Sequence, residues 1–354
     1  MPSAASDRLT PVGWLESLSP WPEDGFGLDR MHALLERLGN PQRRFNSIHV
    51  VGTKGKSTAT RSLAATLRAE GVSTAAYTSP HVAGWPERLE TDEDGLVAAI
   101  ERVRPVAEAL DATQFETLTA AAFADFARRG VAAAVVEAGL GGRHDATNVI
   151  DARVVLLTNV GLEHTEVLGS TRAAIAAEKL AVAHSARTVV LPDGEFAALA
   201  GPAEVRLGGV REAAEAFLRR PVERAVTATL PGRFELRPGG EVRDGAHTPE
   251  AVDWLLARLP EPGRYVVVAS ILADKDVDRI LERLARAGRS FVATRSSSAR
   301  ALPADELARR ARPWFDRVEM REAPDEALAL ARALGGPVLV TGSLYLLADF
   351  EYDR

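Results

Sequence analysis

Short apolar runs rich in Val, Ile and Ala recur along the chain, and most are followed by a longer segment whose apolar residues have helical spacing. Arg153–Val160 is nearly continuous, which is typical of a strand buried on both faces of a parallel sheet. The alternation predicts an α/β protein with open, mostly parallel sheets. The predicted strands are Ser47–Val51, Ser73–Thr78, Ala132–Val136, Arg153–Val160, Tyr265–Ala269, Ser290–Thr294 and Pro337–Thr341. The predicted helices are the segment that ends at Glu70, before Gly71, and Phe115–Arg129, Ser170–Ala183, Pro249–Leu259, Val277–Ala287 and Asp325–Leu334.

The alternation is interrupted near Leu230–Gly232, where Pro231 and Gly232 stand side by side, and then restarts. A chain of 354 residues is long enough for two domains. We therefore predict two domains, residues 1–229 and 230–354, each built around its own α/β sheet.

Composition and charge exclude several classes of protein. Hydrophobic residues make up 46% of the chain, which is enough for a full globular core. Lys plus Arg number 43 and Asp plus Glu 49, a formal net charge of −6 without any basic block, so a nucleic-acid partner is not expected. The absence of cysteine excludes a disulfide scaffold, a cysteine nucleophile and a thiolate metal site. With no signal peptide and no bilayer-spanning run, we expect a cytoplasmic protein without a membrane partner.

The sharpest local signal is a loop of glycines and lysines between a predicted strand and a predicted helix. Glycines let the backbone curl so that successive N–H groups point at phosphate oxygens, and the helix N-terminus adds its positive dipole end. Lys56 would reach the outer phosphates, and Ser57 or Thr58 would contact Mg²⁺. Two residues rather than four separate Gly52 from Gly55, and the alternative is a plain turn with an exposed lysine. We predict a nucleotide site formed by Gly52, Thr53, Lys54, Gly55, Lys56, Ser57 and Thr58.

Two further polar residues follow buried strands of the same predicted sheet. Glu137 comes just after one strand, and His164 follows another. Because ligands gather outside the carboxyl ends of strands in open α/β sheets, both side chains are expected near the phosphate loop. A carboxylate and an imidazole beside phosphates predict a metal site. Taken singly, Glu137 could instead pair with Arg143, and His164 could cap a helix.

For Lys179 and for Asp244, a purely structural interpretation competes with a functional one. Lys179 lies within a predicted helix, where an exposed lysine is the ordinary case. Asp244 opens a turn before a helix and could be only a turn or capping residue. Alternatively, an acid at the end of a strand in the second domain could hold a ribose or an adenine.

The segments IHVVGTKGKST (48–58), TSPH (78–81), GLGGRHDATN (139–148) and GLEHTEVLG (161–169) together resemble folylpolyglutamate synthase and dihydrofolate synthase, within the Mur ligase group of ATP-dependent amide ligases. The resemblance covers nearly the whole chain in order, and TSPH, GLGGRHDATN and GLEHTEVLG together are highly specific. It implies a P-loop nucleotide-binding domain with a mostly parallel sheet and a smaller Rossmann-like carboxy-terminal α/β domain. The matching segments are GLDR (27–30), LGNP (38–41), IHVVGTKGKST (48–58), TSPH (78–81), ER (87–88), QFE (114–116), EAGLGGRHDATN (137–148), GLEHTEVLG (161–169), EK (178–179), PGRFE (231–235), DGAH (244–247), ADKD (273–276) and TGSLYL (341–346).

The resemblance also implies a reaction. ATP phosphorylates the carboxylate of a folate or dihydropteroate, and the amine of L-glutamate attacks the resulting acyl phosphate to give an amide and phosphate. Positioning and charge neutralisation would carry the rate. The implied cofactors are ATP and two Mg²⁺ ions, and the implied state is a monomer.

Residue roles follow from the same resemblance. Lys56, Lys179 and His164 are implied catalytic residues, and Lys179 aligns with a lysine that the family carbamylates. Arg233 and Asp244 correspond to positions that contact ATP from the second domain. The implied Mg²⁺ ligands are Ser57, Ser79, Glu137, His164 and Lys179, and the implied acceptor-binding residues are His81, Thr113, Gln114, Phe115 and Glu116.

Two alternatives stay open at this point. The same loop and metal set would serve a Mur-type ligase that acts on another carboxylate and amino acid. A nucleotide-binding protein without ligase activity, acting as a regulator, is the other alternative. It rests on departures from the family pattern at Lys54 and Thr248 and on the lack of an asparagine near Val210.

Overall fold

Two separate six-stranded sheets organise the chain. The computed structural model describes residues 9–22, 25, 27–81 and 84–350, which divide into two units. The first unit comprises the described residues up to His81 and from Trp85 to Ala228. The second comprises Gly84 and the residues from Thr229 onward. Within the described ranges, no helix is both long enough and apolar enough to span a bilayer.

The strands of the first sheet are β1 (Asn46–Val51), β2 (Thr74–Tyr77), β3 (Ala133–Glu137), β4 (Ala152–Leu157), β5 (Thr188–Leu191) and β6 (Glu204–Leu207). Their order is β2-β3-β1-β4-β5-β6, and every pair is parallel. Strand β1 lies centrally, with Val50 opposite Glu137 on one side and Leu156 on the other. The prediction of a mostly parallel sheet is confirmed.

Helices cover both faces of this sheet. Along the central strands, successive side chains alternate between two apolar cores: Val155 belongs to one and Leu156 to the other. Helix α5 contributes Phe123 to the first core, and α3 contributes Leu63 to the second. The helices of this unit are α1 (Pro11–Ser17), α2 (Asp29–Arg37), α3 (Lys56–Ala69), α4 (Glu93–Glu108), α5 (Gln114–Arg129), α6 (Thr165–Leu168), α7 (Arg172–Leu180) and α8 (Val210–Leu218).

The second sheet is mixed, with strand order β11-β10-β9-β12-β8-β7. Five strands are parallel, and the short edge strand β7 pairs antiparallel with β8. Its strands are β7 (Glu235–Leu236), β8 (Val242–Arg243), β9 (Val266–Ala269), β10 (Ser290–Ala293), β11 (Arg317–Met320) and β12 (Val338–Thr341). Its helices are α9 (Pro249–Leu256), α10 (Val277–Leu284), α11 (Ala304–Ala311), α12 (Pro324–Ala333) and α13 (Leu344–Asp349). The predicted α/β fold with two sheet domains is confirmed.

The apolar pattern predicts the edge strand β2 but misses the inner strand β5 and the edge strands β6, β7 and β11. Strand β6 is mostly exposed, so its sequence lacks the continuous apolar run of a central strand. Strand β4 is shorter than predicted because residues 158–160 leave the ladder after Leu157. The predicted helix Ser170–Ala183 is α7 followed by a 3₁₀ turn over Ala181–Ser185.

Candidate active site

The predicted phosphate loop joins β1 to α3. Gly52 has φ 149°, and a Cβ there would overlap the hydroxyl of Thr158, so the position admits only glycine. Gly55 adopts a left-handed conformation with φ 78° at the N-cap of α3. From the described residues, no side chain caps this N-terminus. The first-turn amides and the positive end of the helix dipole are thus positioned to bind an anion.

A second loop, directly after β4, braces the phosphate loop. Thr53 Oγ1 accepts a hydrogen bond from Gly161 N at 3.0 Å. Asn159 accepts from Lys54 N at 2.9 Å and donates back to Lys54 O at 3.0 Å. Thr158 Oγ1 also donates to Lys54 O, at 2.7 Å. The sequence reasoning missed Asn159, because it lies inside an apolar run that was interpreted as strand.

Two lysine ammonium groups converge on one backbone carbonyl of the loop. Lys56 Nζ donates to Gly52 O at 3.0 Å, and Lys179 Nζ donates to the same oxygen at 2.9 Å. Lys179 is only 2% exposed, so it is not an exposed helical lysine. Burial lowers the pKa of Lys179, an effect that Lys56 reinforces and the carboxylate of Glu163, 3.0 Å away, opposes. The pair concentrates positive charge at the loop.

An oxygen-rich cluster lies beside the loop, around the buried carboxylate of Glu137. Ser57 Oγ donates to Glu137 Oε1 at 3.0 Å, and the backbone N–H of Ser79 donates to Oε2 at 3.0 Å. Arg143 pairs with Glu178 rather than with Glu137, with a separation of 3.2 Å between Arg143 Nε and Glu178 Oε2. The structure therefore brings together Ser57, Ser79 and Glu137 from the ends of three neighbouring strands.

His164 lies at the N-cap of the four-residue helix α6, with φ 46°. Its side chain makes no capping hydrogen bond to a described residue; instead it lines a cavity next to the cluster. Over the described part of the chain, no three His, Cys, Asp or Glu side chains are grouped so as to hold a metal ion.

The cavity has a volume of about 550 Å³, and its described lining belongs to the first unit. Ser79 and His164 stand in its wall, so it adjoins the oxygen cluster. Apolar groups such as Phe115 and Leu168 alternate with charged ones. This combination of shape, size and a few polar groups is typical of a small-molecule site. The charged lining residues are Arg88, Glu116, Asp145 and Glu178.

The start of α5 shapes one wall of the cavity. A capping box fixes it: Thr113 N donates to Glu116 Oε2 at 2.8 Å, and Glu116 N donates to Thr113 Oγ1 at 3.3 Å. Arg30 lies 3.3 Å from the same carboxylate. Thr113, Phe115 and Glu116 line the cavity, whereas Gln114 Nε2 donates to Leu15 O, away from the lining.

Asp145 is a buried acid in the cavity wall. The sequence analysis assigned it no role beyond its place in EAGLGGRHDATN (137–148). Asp145 accepts hydrogen bonds from Leu140 N at 2.7 Å and Thr147 N at 3.0 Å. Burial nevertheless raises its pKa. Behind it, the hydroxyl of Thr147 contacts both Asp145 and His49 Nε2, the latter at 2.8 Å. Burial also lowers the pKa of His49, to about 3.

His81 stands behind the cavity wall rather than in it. Its Nδ1 accepts a hydrogen bond from Arg88 Nε at 3.0 Å, and its ring lies 4.5 Å from that of Trp85. Burial, reinforced by Arg88, lowers the pKa of His81 to about 4. Arg88 is the member of this group that lines the cavity. The sequence analysis assigned it no role beyond its place in the segment ER (87–88).

In the second unit, Asp244 is buried in the turn after β8. Its carboxylate accepts from Phe234 N and Ala246 N, both at 2.8 Å, and burial raises its pKa while the nearby Arg233 opposes the shift. The N-cap of α9 is Thr248, not Asp244. Nucleotide contacts from Arg233 and Asp244 stay predictions.

Two family models match the chain in order. The Mur ligase middle domain matches residues 50–205, and the glutamate ligase domain of Mur ligases matches residues 232–344. With the phosphate loop and oxygen cluster already in place, these matches define the class of protein as a Mur-type ligase.

Similar proteins indicate which family of Mur-type ligases is concerned. A dihydrofolate synthase/folylpolyglutamate synthase of Mycobacterium tuberculosis is 33% identical over 89% of this chain and 84% of its own. The structure of Escherichia coli FolC with DHPP and ADP superposes with a TM-score of 0.84 at 26% identity, covering 96% of each chain. A Yersinia pestis folylpolyglutamate synthase/dihydrofolate synthase with AMPPNP and a Mn ion gives a TM-score of 0.82 at 25% identity, over 96% of this chain and 97% of that one.

The chain belongs to the folylpolyglutamate synthase/dihydrofolate synthase family of Mur ligases. It is an ATP-dependent ligase of this type, which adds glutamate to folate or dihydropteroate. The predicted family, ligase class and α/β fold are thereby confirmed.

Proposed function

We propose that the chain uses ATP to convert the acceptor carboxylate into an acyl phosphate, which the amine of L-glutamate then attacks. The γ-phosphoryl group passes to a carboxylate oxygen and leaves ADP. The amine adds to the acyl carbon, loses a proton and expels phosphate, which leaves an amide. One observation carries the proposal: the Glu137 carboxylate binds both Ser57, at the start of α3, and Ser79, which lines the cavity. The nucleotide end and the acceptor end of the site thus meet at one buried carboxylate.

The phosphate loop supplies charge stabilisation in this proposal. Lys56 and the first-turn amides of α3 bind the phosphates of ATP and stabilise the charge on the phosphoryl group in transfer. Lys56 donates to Gly52 O at 3.0 Å, which holds its ammonium group at the loop.

The oxygen cluster fits a hard divalent cation. Ser57 Oγ and Glu137 Oε1 lie 3.0 Å apart, and both are oxygen ligands of the kind that Mg²⁺ prefers. Ser79 and His164 stand in the adjoining cavity wall. With Lys179 in the carbamylated form proposed below, they would complete the set that holds two Mg²⁺ ions. When bound, Mg²⁺ supplies positive charge that offsets the charge of the phosphates.

We further propose that Lys179 is carbamylated. Its amine adds to CO₂ with formation of an N–C bond and release of a proton, which replaces a buried cation by an anion with two acceptor oxygens. The support is its place: 2% exposed and 2.9 Å from the loop carbonyl of Gly52. Alkylation of the carbamate in bicarbonate buffer, followed by peptide mass spectrometry, should label Lys179. A plain lysine in fully active enzyme would contradict the proposal.

The cavity is proposed to hold the pterin and benzoyl parts of the acceptor. Phe115 offers a ring face for stacking. The carboxylates of Glu116 and Asp145 are acceptors suited to the N–H groups of a pterin. A volume of about 550 Å³ is in the range of small-molecule sites. Acceptor contacts for His81 and Gln114, which do not line the cavity, would be indirect.

Phosphate release tests the proposed reaction. The purified chain is incubated with ATP, Mg²⁺ and L-glutamate, with and without dihydropteroate or tetrahydrofolate, and released phosphate is measured. Release that depends on either pterin compound is expected. Release only with a different carboxylate acceptor would indicate another Mur-type substrate, and no release with any acceptor would indicate a nucleotide-binding regulator.

A monomeric, cytoplasmic enzyme is also proposed, in line with the family resemblance and the absence of cysteine. Light scattering on a sizing column tests the oligomeric state, and a mass near 37.9 kDa is expected. A stable dimer would contradict it.

A further inference from the structure

A buried histidine and a buried threonine connect the central strand β1 to the cavity wall. His49, on β1, is fully buried, and its Nε2 lies 2.8 Å from Thr147 Oγ1. The hydroxyl of Thr147 donates to Asp145 Oδ1, and Asp145 lines the cavity. The three side chains form one hydrogen-bonded chain, and neither His49 nor Thr147 has a role in the reaction as proposed so far.

The hydrogen bonds of this chain can point in two directions. Burial lowers the pKa of His49 to about 3, so the ring is neutral and carries one N–H. If Asp145 is ionised, the Thr147 hydroxyl donates to it and accepts from the protonated Nε2 of His49. If Asp145 is protonated and donates to Thr147, the hydroxyl donates to Nε2, and the ring proton moves to Nδ1. The tautomer of His49 and the charge of Asp145 are thus linked.

Both ends of the chain favour the first direction. His49 Nδ1 is buried and has no hydrogen-bond partner among the described residues, so a proton there would be a buried N–H without an acceptor, which folded proteins rarely contain. At the other end, Leu140 N donates to Asp145 Oδ2 at 2.7 Å, and Thr147 N donates to Oδ1 at 3.0 Å. Hydrogen bonds donated to a carboxylate favour its ionised form.

The carboxylate of Asp145 lies beside the ring proposed to stack on the acceptor. A Cβ at Gly139 would lie 2.6 Å from Phe115 Cζ and 3.2 Å from Asp145 Oδ2, so the ring and the carboxylate converge on one glycine. All three residues line the cavity. A pterin stacked on Phe115 would therefore have a hydrogen-bond acceptor beside its edge, where its N–H groups lie.

We propose that His49 is a positioning residue for the acceptor: through Thr147, it holds Asp145 as an oriented carboxylate that accepts from the N–H groups of the pterin. The inference rests on the proposed function and deepens it, because it names a residue outside the cavity that sets the affinity for the acceptor. The effect should be confined to the acceptor, since Asp145 belongs to the wall of its cavity.

The test compares variants that break the chain with variants that keep it. His49→Met and Thr147→Val remove the ring N–H and the hydroxyl, whereas His49→Gln and Thr147→Ser keep a donor and a hydroxyl. Phosphate release gives kcat and the KM values for ATP and for the pterin acceptor that the unaltered enzyme uses. We expect the first pair to raise the KM for the acceptor roughly 10-fold, because the carboxylate loses a hydrogen bond that orients it. Their kcat and KM for ATP should change less than about 3-fold, and the second pair should recover the acceptor affinity to within about 3-fold.

A double variant tests whether His49 acts through Thr147. The KM of His49→Met/Thr147→Val for the acceptor should match that of Thr147→Val within about 2-fold, because His49 has no route to Asp145 once the hydroxyl is gone. Thr60→Val is the control: it removes a buried hydroxyl on α3 that bonds to no described residue, and it should leave every KM unchanged. If His49→Met does not fold, Thr147→Val and Thr147→Ser carry the comparison.

Asp145→Asn distinguishes failure of the inference from failure of the proposed function. If Asp145→Asn raises the KM for the acceptor but Thr147→Val does not, the inference is overturned and the cavity assignment stands. Additive losses in the double variant, losses in kcat or in the KM for ATP, or equal losses in Thr147→Val and Thr147→Ser overturn the inference in the same way. An unchanged acceptor KM in Asp145→Asn overturns both the inference and the proposed pterin position. No phosphate release from the unaltered enzyme with any acceptor overturns the proposed function itself.

Discussion

At the scale of single residues, Lys56 and Lys179 give the site its electrostatic character. Both ammonium groups donate to Gly52 O, and one of them is almost fully buried. Burial and mutual repulsion make this arrangement unfavourable by itself, which is visible in the lowered pKa of Lys179. The carbamylation proposed for Lys179 would remove this repulsion, and the proposed triphosphate would then be attracted by Lys56.

Lys56→Ala should reduce ATP-dependent phosphate release by at least about 100-fold, because charge on the transferred phosphoryl group loses its stabilising cation. The thermal unfolding midpoint should stay close to that of the unaltered enzyme, since Lys56 is a part-buried side chain whose hydrogen bond goes to its own loop. Arg206→Ala, an exposed change on β6, serves as the control. Near-normal release by Lys56→Ala would refute the assignment of the phosphate loop.

Glu137→Gln tests the cation site. The amide keeps the size of the side chain and one acceptor oxygen but removes the negative charge, so a hard cation is bound less tightly. The Mg²⁺ concentration for half-maximal phosphate release should rise roughly 10-fold or more. If the Mg²⁺ dependence of the variant matches that of the unaltered enzyme, Glu137 does not bind the metal.

At the scale of elements, the loop after β3 docks on the end of α7. Arg143 N donates to Glu178 O at 3.1 Å and to Glu178 Oε1 at 3.0 Å. A Cβ at Gly142 would lie 2.6 Å from Lys179 O and 2.7 Å from Glu178 O, so the two backbones touch. This close approach sets the position of the helix turn that carries Lys179 relative to the phosphate loop.

Gly142→Ala should lower the free energy of unfolding by about 1–3 kcal/mol, because the new methyl group must displace backbone rather than a flexible side chain. Activity should fall as well, since Lys179 shifts with the helix. Gly194→Ala is the matched control: nothing lies within 4 Å of a Cβ there, and it should be neutral or slightly stabilising. Denaturant unfolding of both variants makes the comparison, and equal effects would refute the docking argument.

At the scale of the whole molecule, a loss of folding stability at acidic pH should come from a buried histidine in the centre of the first sheet. His49 lies on β1, fully buried, and burial lowers its pKa from 6.5 to about 3. Between these values the unfolded chain binds a proton that the folded chain does not. The stability contributed by neutral His49 is therefore complete above pH 6.5 and is lost as the pH falls toward 3.

From pH 7.5 to 5.5, His49 should cost the unaltered protein roughly 1.4 kcal/mol of unfolding free energy. In His49→Gln, which can still bond to Thr147, this part of the pH dependence should be absent even if the variant is less stable overall. Urea unfolding at the two pH values measures the difference, with His32→Gln, an exposed change on α2, as control. The same pH slope in His49→Gln and the unaltered protein would contradict the assignment.

Strongly periodic elements and the loop between them could be predicted from the sequence. The central strands and α3 follow their predictions because continuous apolar runs and glycine positions are local signals. Strand β6 and the end of β4 could not be predicted from the sequence. The position of an exposed edge strand, and the hydrogen bonds that Asn159 makes to the phosphate loop, depend on partners far along the chain.

The sequence by itself determined the α/β order, the loop between β1 and α3 and the family, because these depend on spacing within short segments. The tertiary structure alone decided which side chains meet. It buried Lys179 against the carbonyl of Gly52, joined Ser57 to Glu137, and placed Arg88 in the cavity wall with His81 behind it. Such contacts join residues from different strands and loops, and only the path of the folded chain sets the distances between them.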